Sequence, residues 1–562
     1  MIITALALCY ITALCFLYGL LIYRIFGWFP KQPDNSIPVP QVALAGICLI
    51  TALASLSSFF VPINKSFHLT LLFGAAGILA WNFMHIRTLV SNGVRFLTHH
   101  PIISFLFILA VLLAVYEGSR EPLNFDTGLY HAQFIRWTET YPVVPGLGNF
   151  ADRLAFNSAW LMFATVVHLE WILPLPFHAP SLVLYLILIM EACARLTEGS
   201  KNRLPIASLM ALLIFPLTHL LFRAEFSSPG TDLPAALLTW LLVIYTLDYA
   251  CPNFQITLTP IGSLFMLAGF AITIKLSAAP ILLLPLALWI WRKGVSIFSS
   301  IQNGLALSLM VLPWMGRNIF LSGYLIYPFP QIDLFSFPWK IPYEKALSAQ
   351  QWIKAWARVP GRGPEEVFSY SFRIWTLEWW SKMSELNQTL VIAALIICGM
   401  YFISVLILWL KKKDSNILPS PLIGLTSAVA LLGAIYWFWQ APDIRFGYGF
   451  IGVLLVLPVA TILTRVWSLR LARLVALLAL ITYQVAMMAE ATDITRWRSR
   501  WYVANPYPHI SLVEFEQNNF EYFRPDQGTQ CWYEIIPCTP FPNSDARLRG
   551  TDISDGFIDT SH

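Results

Sequence analysis

IISFLFILAVLLAV (Ile102–Val115) runs within a few residues into EPLNFDTGLYHAQFIRW (Glu121–Trp137). The first stretch is uncharged and reads as a helix inside lipid. The second is polar and aromatic, opens a long loop, and sets the carboxylate of Asp126 where a helix leaves the bilayer. A carboxylate in that position can take a proton from a substrate hydroxyl held at the membrane surface.

The rest of the chain agrees with the membrane reading. Of its 562 residues 57% are hydrophobic and only 12% charged, with a mean hydropathy of +0.64. A soluble domain carries roughly a quarter charged residues, so this chain has too much apolar surface for a globule in water. Apolar runs near the length needed to cross a hydrocarbon core of ~30 Å recur from end to end. They fall at 2–28, 41–62, 67–84, 102–117, 177–195, 205–222, 232–249, 258–274, 277–292, 298–315, 389–410, 419–438, 447–465 and 471–488. The expectation is an all-α, polytopic transmembrane protein of about 14 spans. The segment 158–174 is apolar but short and is followed by LPLPF, which suits a half-helix, a re-entrant piece or an extra span. Residues 2–23 have no basic stretch before them and no small-residue cleavage site, so they read as a retained first helix rather than a signal peptide. The net charge of +5 is a loop bias and not a nucleic-acid footprint.

Lys and Arg in short loops mark the cytoplasmic side. They collect at Arg24/Lys31, Arg87/Arg95, Arg195/Lys201/Arg203, Arg292/Lys293, Lys411–Lys413 and Arg465/Arg470. If 158–174 does not cross, the spans then alternate consistently. The segments left outside are about 118–157, 223–231, the turn at Lys275, about 316–388, the turn 439–446 and the tail after 489. Both long loops and the tail therefore share one face, which suggests chemistry at that face. No internal repeat is evident, which weighs against an inverted-repeat transporter. Three regions follow: N-terminal helices 1–100, a core 101–490 with outer loops 118–157 and 316–388, and a small extracytoplasmic tail 491–562.

The outer face gathers charge at helix ends and turns. Asp126, His131 and Arg136 lie in the first loop, Arg223 and Asp232 in FRAEFSSPGTDLP, and Lys275 in TIKLSAAP. Arg317 follows in PWMGRNIFLSGYLIYP, and Asp443 and Arg445 in WQAPDIRFGYGF. Charge at membrane depth is expensive unless paired or solvated in a cavity, so charges from several helices at one depth imply a shared polar cavity. Basic groups there suit a phosphate, which Arg grips through its planar fork.

Each residue also has a plainer reading. Arg223, Lys275 or Arg317 can snorkel from a helix end. Asp232 can cap the helix whose first turn holds Pro234, and Asp443–Arg445 can be a local ion pair. Asp126 can cap a surface helix through His131 and Arg136, with His131 simply packed against it. Trp375, Trp379 and Trp380 suit an interfacial belt better than a sugar platform. The sequon Asn387-Gln388-Thr389 abuts the membrane. No HExxH or paired CxxC argues for a protein metal site, and no Walker A or GxGxxG loop argues for nucleotide hydrolysis. Six cysteines (Cys9, Cys15, Cys48, Cys193, Cys251, Cys398) lie in or beside apolar helices as small hydrophobes. Cys531 and Cys538, in QCWYEIIPCTP, are placed to pair if the tail faces an oxidising compartment.

Taken together, these elements resemble the GT-C class of integral-membrane glycosyltransferases. The likeness rests on Asp126 in NFDTGLYH, on PWMGRNIFLSGYLIYP before a large outer loop, and on APDIRFGYGFIGVLLVLP late in the chain. SSPGTDLPAALL and IKLSAAPILLLP have the same character. The chain departs from the pattern in two respects: members often show two adjacent acids in the first loop, where Asn124-Phe125-Asp126 supplies one, and more than one span precedes that loop.

The resemblance implies an inverting transfer of a sugar from a polyprenyl-phosphate donor to a cell-envelope glycan or lipid acceptor. It places the reaction at the outer face of a bacterial inner membrane. Asp126 would be the base. Arg317, Arg445 and Lys275 would meet the donor phosphate, with Asp443, Asp232, Arg223 and His131 around them. Metal dependence stays open, a divalent cation included. Two alternatives use the same cavity: a transporter or flippase of a lipid-linked or anionic substrate, and a polysaccharide polymerase or ligase.

Overall fold

The computed structural model describes the chain apart from residues 30–37, 198–204, 251–259, 292–295, 411–420, 467–468, 491–497 and 562, and some side chains within 405–409 and 469–490. Lys31, Lys201, Arg203, Cys251, Arg292, Lys293, Lys411–Lys413 and the side chain of Arg470 lie outside the described residues.

The chain is mostly helical. It opens with α1 (Ile2–Ile25), α2 (Val39–Ser57), α3 (Lys65–His99) and α4 (Pro101–Gly118). A loop region carries α5 (Ala132–Thr140), α6 (Leu147–Phe150) and α7 (Ala159–Val167). The core continues through α8 (Ser181–Thr197), α9 (Pro205–Phe222), α10 (Asp232–Asp248), α11 (Ile261–Ile274), α12 (Leu283–Trp291) and α13 (Ile297–Ser322). A second loop region holds α14 (Tyr343–Arg358), α15 (Pro364–Ser369) and α16 (Phe372–Lys382). The last helices are α17 (Glu385–Leu410), α18 (Pro421–Gln440), α19 (Ile444–Val466) and α20 (Leu469–Glu490). Among the described residues nine helices are long and apolar enough to cross a membrane, with α11 and the stretch Leu276–Trp291 as shorter apolar pieces.

Local chemistry sets the helix ends. The Asn64 side chain accepts from the Ser66 N–H at the start of α3 (3.0 Å), and Ser296 accepts from Ser299 N–H at the start of α13 (3.1 Å). α13 stops at Gly323, whose φ of +80° suits glycine alone at little strain. α3 runs on to His99, past the 67–84 expected from hydropathy, because the polar stretch after 84 keeps helical hydrogen bonding. α7 has nine residues, about 14 Å at ~1.5 Å per residue. It is a buried half-helix, too short to span.

α1 and α2 touch backbone to backbone. A Cβ on Gly19 would lie 1.8 Å from the Val42 carbonyl oxygen, and one on Gly46 1.6 Å from that of Cys15. Small residues permit this close approach between apolar helices, where packing rather than water exclusion holds helices together.

Arg195 is not a free loop charge. It is fully buried on α8, donating to Glu191 Oε1 (2.6 Å) and bidentately to Asp248 Oδ1 and Oδ2 of α10 (3.0 and 2.6 Å). Its weight in the orientation argument is corrected accordingly.

Both loop regions and the tail meet at one end of the helix bundle. The tail holds two small antiparallel sheets, β1 (Leu512–Gln517) with β2 (Phe520–Pro525), and β3 (Ala546–Leu548) with β4 (Phe557–Asp559). It has few apolar residues of its own and borrows a core from the first loop. Phe150 stacks on Phe557 and meets Phe520 and Tyr522 edge-on. Lys345 of α14 pins the same sheet through Asp545 and Asp559, each at 2.6 Å. Gly146 (φ +67°) admits the tail, since a Cβ there would sit 2.1 Å from the Phe557 carbonyl oxygen. Cys531 and Cys538 are joined by a disulfide.

Candidate active site

A cavity of about 1560 Å³ opens at this loop-bearing end. Its walls come from the first loop, the start of α10, the α11 exit, α14, the α18–α19 turn and the tail. Asp126, Lys275, Asp443 and Arg445 line it, and Asp232 stands directly behind them.

The local chain explains each placement. Asp126 precedes a single π-helical turn, Thr127–His131, that leads into α5, and its carboxylate makes no cap hydrogen bond. It is therefore free to face the cavity, 31% exposed. Asp232 opens α10, but Thr231 holds the cap position and the Asp232 carboxylate is spent elsewhere. It binds Lys275, which follows the last residue of α11. Lys275 also sits 3.5 Å from the Phe446 ring centre, a cation–π contact.

Arg445 is the hub. Its Nη1 reaches Asp126 at 3.4 Å and Asp232 at 3.6 Å, while Nη2 holds Asp443 at 3.1 Å. The local Asp443–Arg445 pair of the plainer reading exists, and the same guanidinium also bridges two acids more than 200 residues away in sequence. Three carboxylates face two cations here. The contacts to Asp126 and Asp232 are longer than the 2.7–2.9 Å of a tight charge-assisted bond, so that edge of the fork is held only loosely.

His131 is packed behind the cluster, 1% exposed, with neither ring nitrogen hydrogen-bonded. Burial pushes its imidazole down to about 4 from the usual 6.5, helped by Lys275 and Arg445 and opposed by Asp126 and Asp232. It is neutral at physiological pH and is not an ion-pair partner. Because the folded value lies below the unfolded one, the unfolded chain binds the proton first. Stability is full above about 6.5 and falls as pH drops from there toward 4. The loss reaches up to about 3 kcal/mol. Thermal unfolding of the purified protein at pH 7.5, 5.5 and 4.5 should show it, and His131→Leu should flatten that part of the profile. An unchanged slope in the variant would remove His131 as the cause.

The structure does not bring Arg317 or Arg223 to the cavity. Arg317 is 2% exposed on α13, donating to Asn157 Oδ1 (3.2 Å) and Ser58 Oγ (2.5 Å), with Phe134 against its guanidinium. It locks α13 to α2 and the first loop. Arg223 pairs with buried Glu117 at 3.3 Å. Trp375 and Trp379 are buried rather than belted at an interface, and Trp379 donates to the Pro442 carbonyl (2.6 Å) beside Asp443. Asn387, of the sequon, accepts from the Tyr448 hydroxyl (2.7 Å).

Sequence reasoning missed Glu225. It lies in the same stretch as Asp232, is buried, accepts from Asn124 and is within electrostatic reach of Asp232, Lys275 and Arg445. Gly230 makes room for it, since a Cβ there would lie 1.8 Å from Glu225 Oε2. A second acid in the loop that supplies Asp232 was the available signal.

Among the described residues one group has ligands spaced for a metal ion: Glu139, His168 and Glu170. The Tyr533 hydroxyl already lies 2.5 Å from both carboxylates and Arg136 is 3.3 Å from Glu170, so the group also works as a polar staple between loop and tail.

This is a helical chain with membrane-length apolar helices and an acid–base cluster in a cavity at one end. It belongs to the family described as a domain of unknown function, DUF8201, whose profile matches residues 1–452. The matched region includes all five cluster residues and ends within α19, before the tail. No curated protein and no solved structure matches the chain.

Proposed function

We propose that the protein is a membrane glycosyltransferase that takes a sugar from a polyprenyl-phosphate donor, with the loop-bearing end outside the cytoplasm. The observation that carries this reading is the convergence of Asp126, Asp232, Lys275, Asp443 and Arg445, from four separate segments, on one cavity. An exposed carboxylate beside a guanidinium and an ammonium is what the reaction needs. The acceptor hydroxyl oxygen attacks the anomeric carbon, its proton passes to Asp126, and the bond from that carbon to the phosphate oxygen breaks with inversion. Arg445 and Lys275 meet the charge on the departing polyprenyl phosphate. The activated donor supplies the driving force.

Protein in nanodiscs, given a polyprenyl-phosphate hexose and an envelope glycan extract, should release polyprenyl phosphate and lengthen the glycan. A flippase would release none and would instead move the lipid between leaflets of proteoliposomes. Movement without release would overturn the reading.

The disulfide supports an oxidising compartment for the tail, because cytosolic thiols are kept reduced. Impermeant maleimide on intact cells should label Cys531 and Cys538 only after reduction. Free thiols reached only in permeabilised cells would place the tail, and the cavity with it, in the cytoplasm.

A further inference from the structure

Lys354 and Arg358 stand one turn apart on α14, hence on one face of it, and both line the cavity. Trp352 and Trp356 of the same helix also line it and are half exposed (49% and 50%), but each stands two residues from a cation and so on another face of α14. Arg358 is held in place by aromatic rings: its guanidinium carbon lies 4.6 Å from the Trp375 ring centre and 5.8 Å from that of Phe368. Trp375 is itself buried.

The other cations of this wall have acidic partners. Lys275 has Asp232, Lys345 has Asp545 and Asp559, and Arg445 has three carboxylates. Lys354 and Arg358 differ. Among the described residues neither makes an ion pair, and Arg358 Nε is buried without an acceptor. Burial lowers the pKa of both, and Arg358 lowers that of Lys354 further. Like charges four residues apart on a helix repel. Here they are turned together toward a solvent-filled space, offering several N–H donors and no acceptor.

We propose that Lys354 and Arg358 bind the anionic group of an acidic saccharide, a carboxylate or phosphate substituent. This makes the acceptor of the transfer reaction an acidic glycan, and to that extent rests on the function proposed above. A lipid diphosphate offers the same anionic oxygens. In the reaction proposed above the lipid phosphate already has Arg445 and Lys275, which leaves this pair for the acceptor.

Binding without turnover tests this. Full-length protein in nanodiscs is titrated with tetragalacturonate, neutral maltotetraose and farnesyl diphosphate. Tetragalacturonate should bind at least about tenfold more tightly than maltotetraose, a gap of ~1.4 kcal/mol. Most of that preference should vanish in Lys354→Gln/Arg358→Gln, with each single variant intermediate and thermal unfolding unchanged. Asp126→Asn should retain it, so failure of the catalytic reading and failure of this one are separable. Equal binding of the acidic and neutral sugars, no binding of tetragalacturonate, or a preference surviving in the folded variants would overturn the proposal. So would a loss confined to farnesyl diphosphate, which would assign the pair to the lipid phosphate.

Discussion

Asp126→Asn should reduce turnover by about 10²–10⁴-fold with expression and folding retained, the range general-base catalysis contributes. The substitution keeps the side chain's shape and removes the lone pair that takes the acceptor proton. Structural damage should be small: Asp126 is partly exposed, caps no helix, and meets Arg445 only at 3.4 Å. Arg445 would still hold Asp443 and Asp232. Steady-state rates on purified variant and wild type decide the matter, with unfolding temperature as the control. Near-normal turnover in folded Asp126→Asn protein removes the base from the mechanism.

Replacing Arg445 should act on both binding and stability. Arg445→Ala leaves Asp126, Asp232 and Asp443 without their common cation, and Asp232 is 5% exposed. Breaking a fully buried ion pair costs about 3–5 kcal/mol. Arg445 is itself 39% exposed and Lys275 stays with Asp232, so solvent screening reduces the expected loss to about 2 kcal/mol. Arg445→Lys separates charge from geometry. It keeps the cation but loses the fork that spans Asp443 on one side and Asp126 with Asp232 on the other, so donor affinity should fall about tenfold or more while the fold survives. Donor titration by calorimetry, with unfolding curves alongside, reads both effects. Unchanged donor affinity in both variants would leave Arg445 a structural strut.

The helices were legible because apolar runs of membrane length leave little choice of structure. The end of α3 was not, since its later turns are polar and give no hydropathy signal. Asp126, Asp232, Lys275, Asp443 and Arg445 stood out as charges at helix ends on one face. Arg317 carried the same signature, and what separates it is invisible in one dimension. Its partners, Ser58 and Asn157, are neutral side chains on distant segments. Glu225 was hidden because its burial depends on Asn124 and on the space at Gly230. The Glu191–Arg195 pair was readable from its four-residue spacing, yet an arginine near a helix end was counted as a loop charge. The tail's core could not be read because the ring at its centre, Phe150, belongs to another loop.

The most direct measurement follows a labelled sugar. Membranes from cells expressing wild type or Asp126→Asn are supplied with polyprenyl phosphate carrying a radiolabelled hexose, and the label in envelope glycan is counted against lipid-bound label. The expected result is time-dependent movement of label from lipid to glycan with wild type, with polyprenyl phosphate released in equal amount, and background transfer with the variant. Label that stays on the lipid with wild type, or moves equally with both, would contradict glycosyl transfer at Asp126.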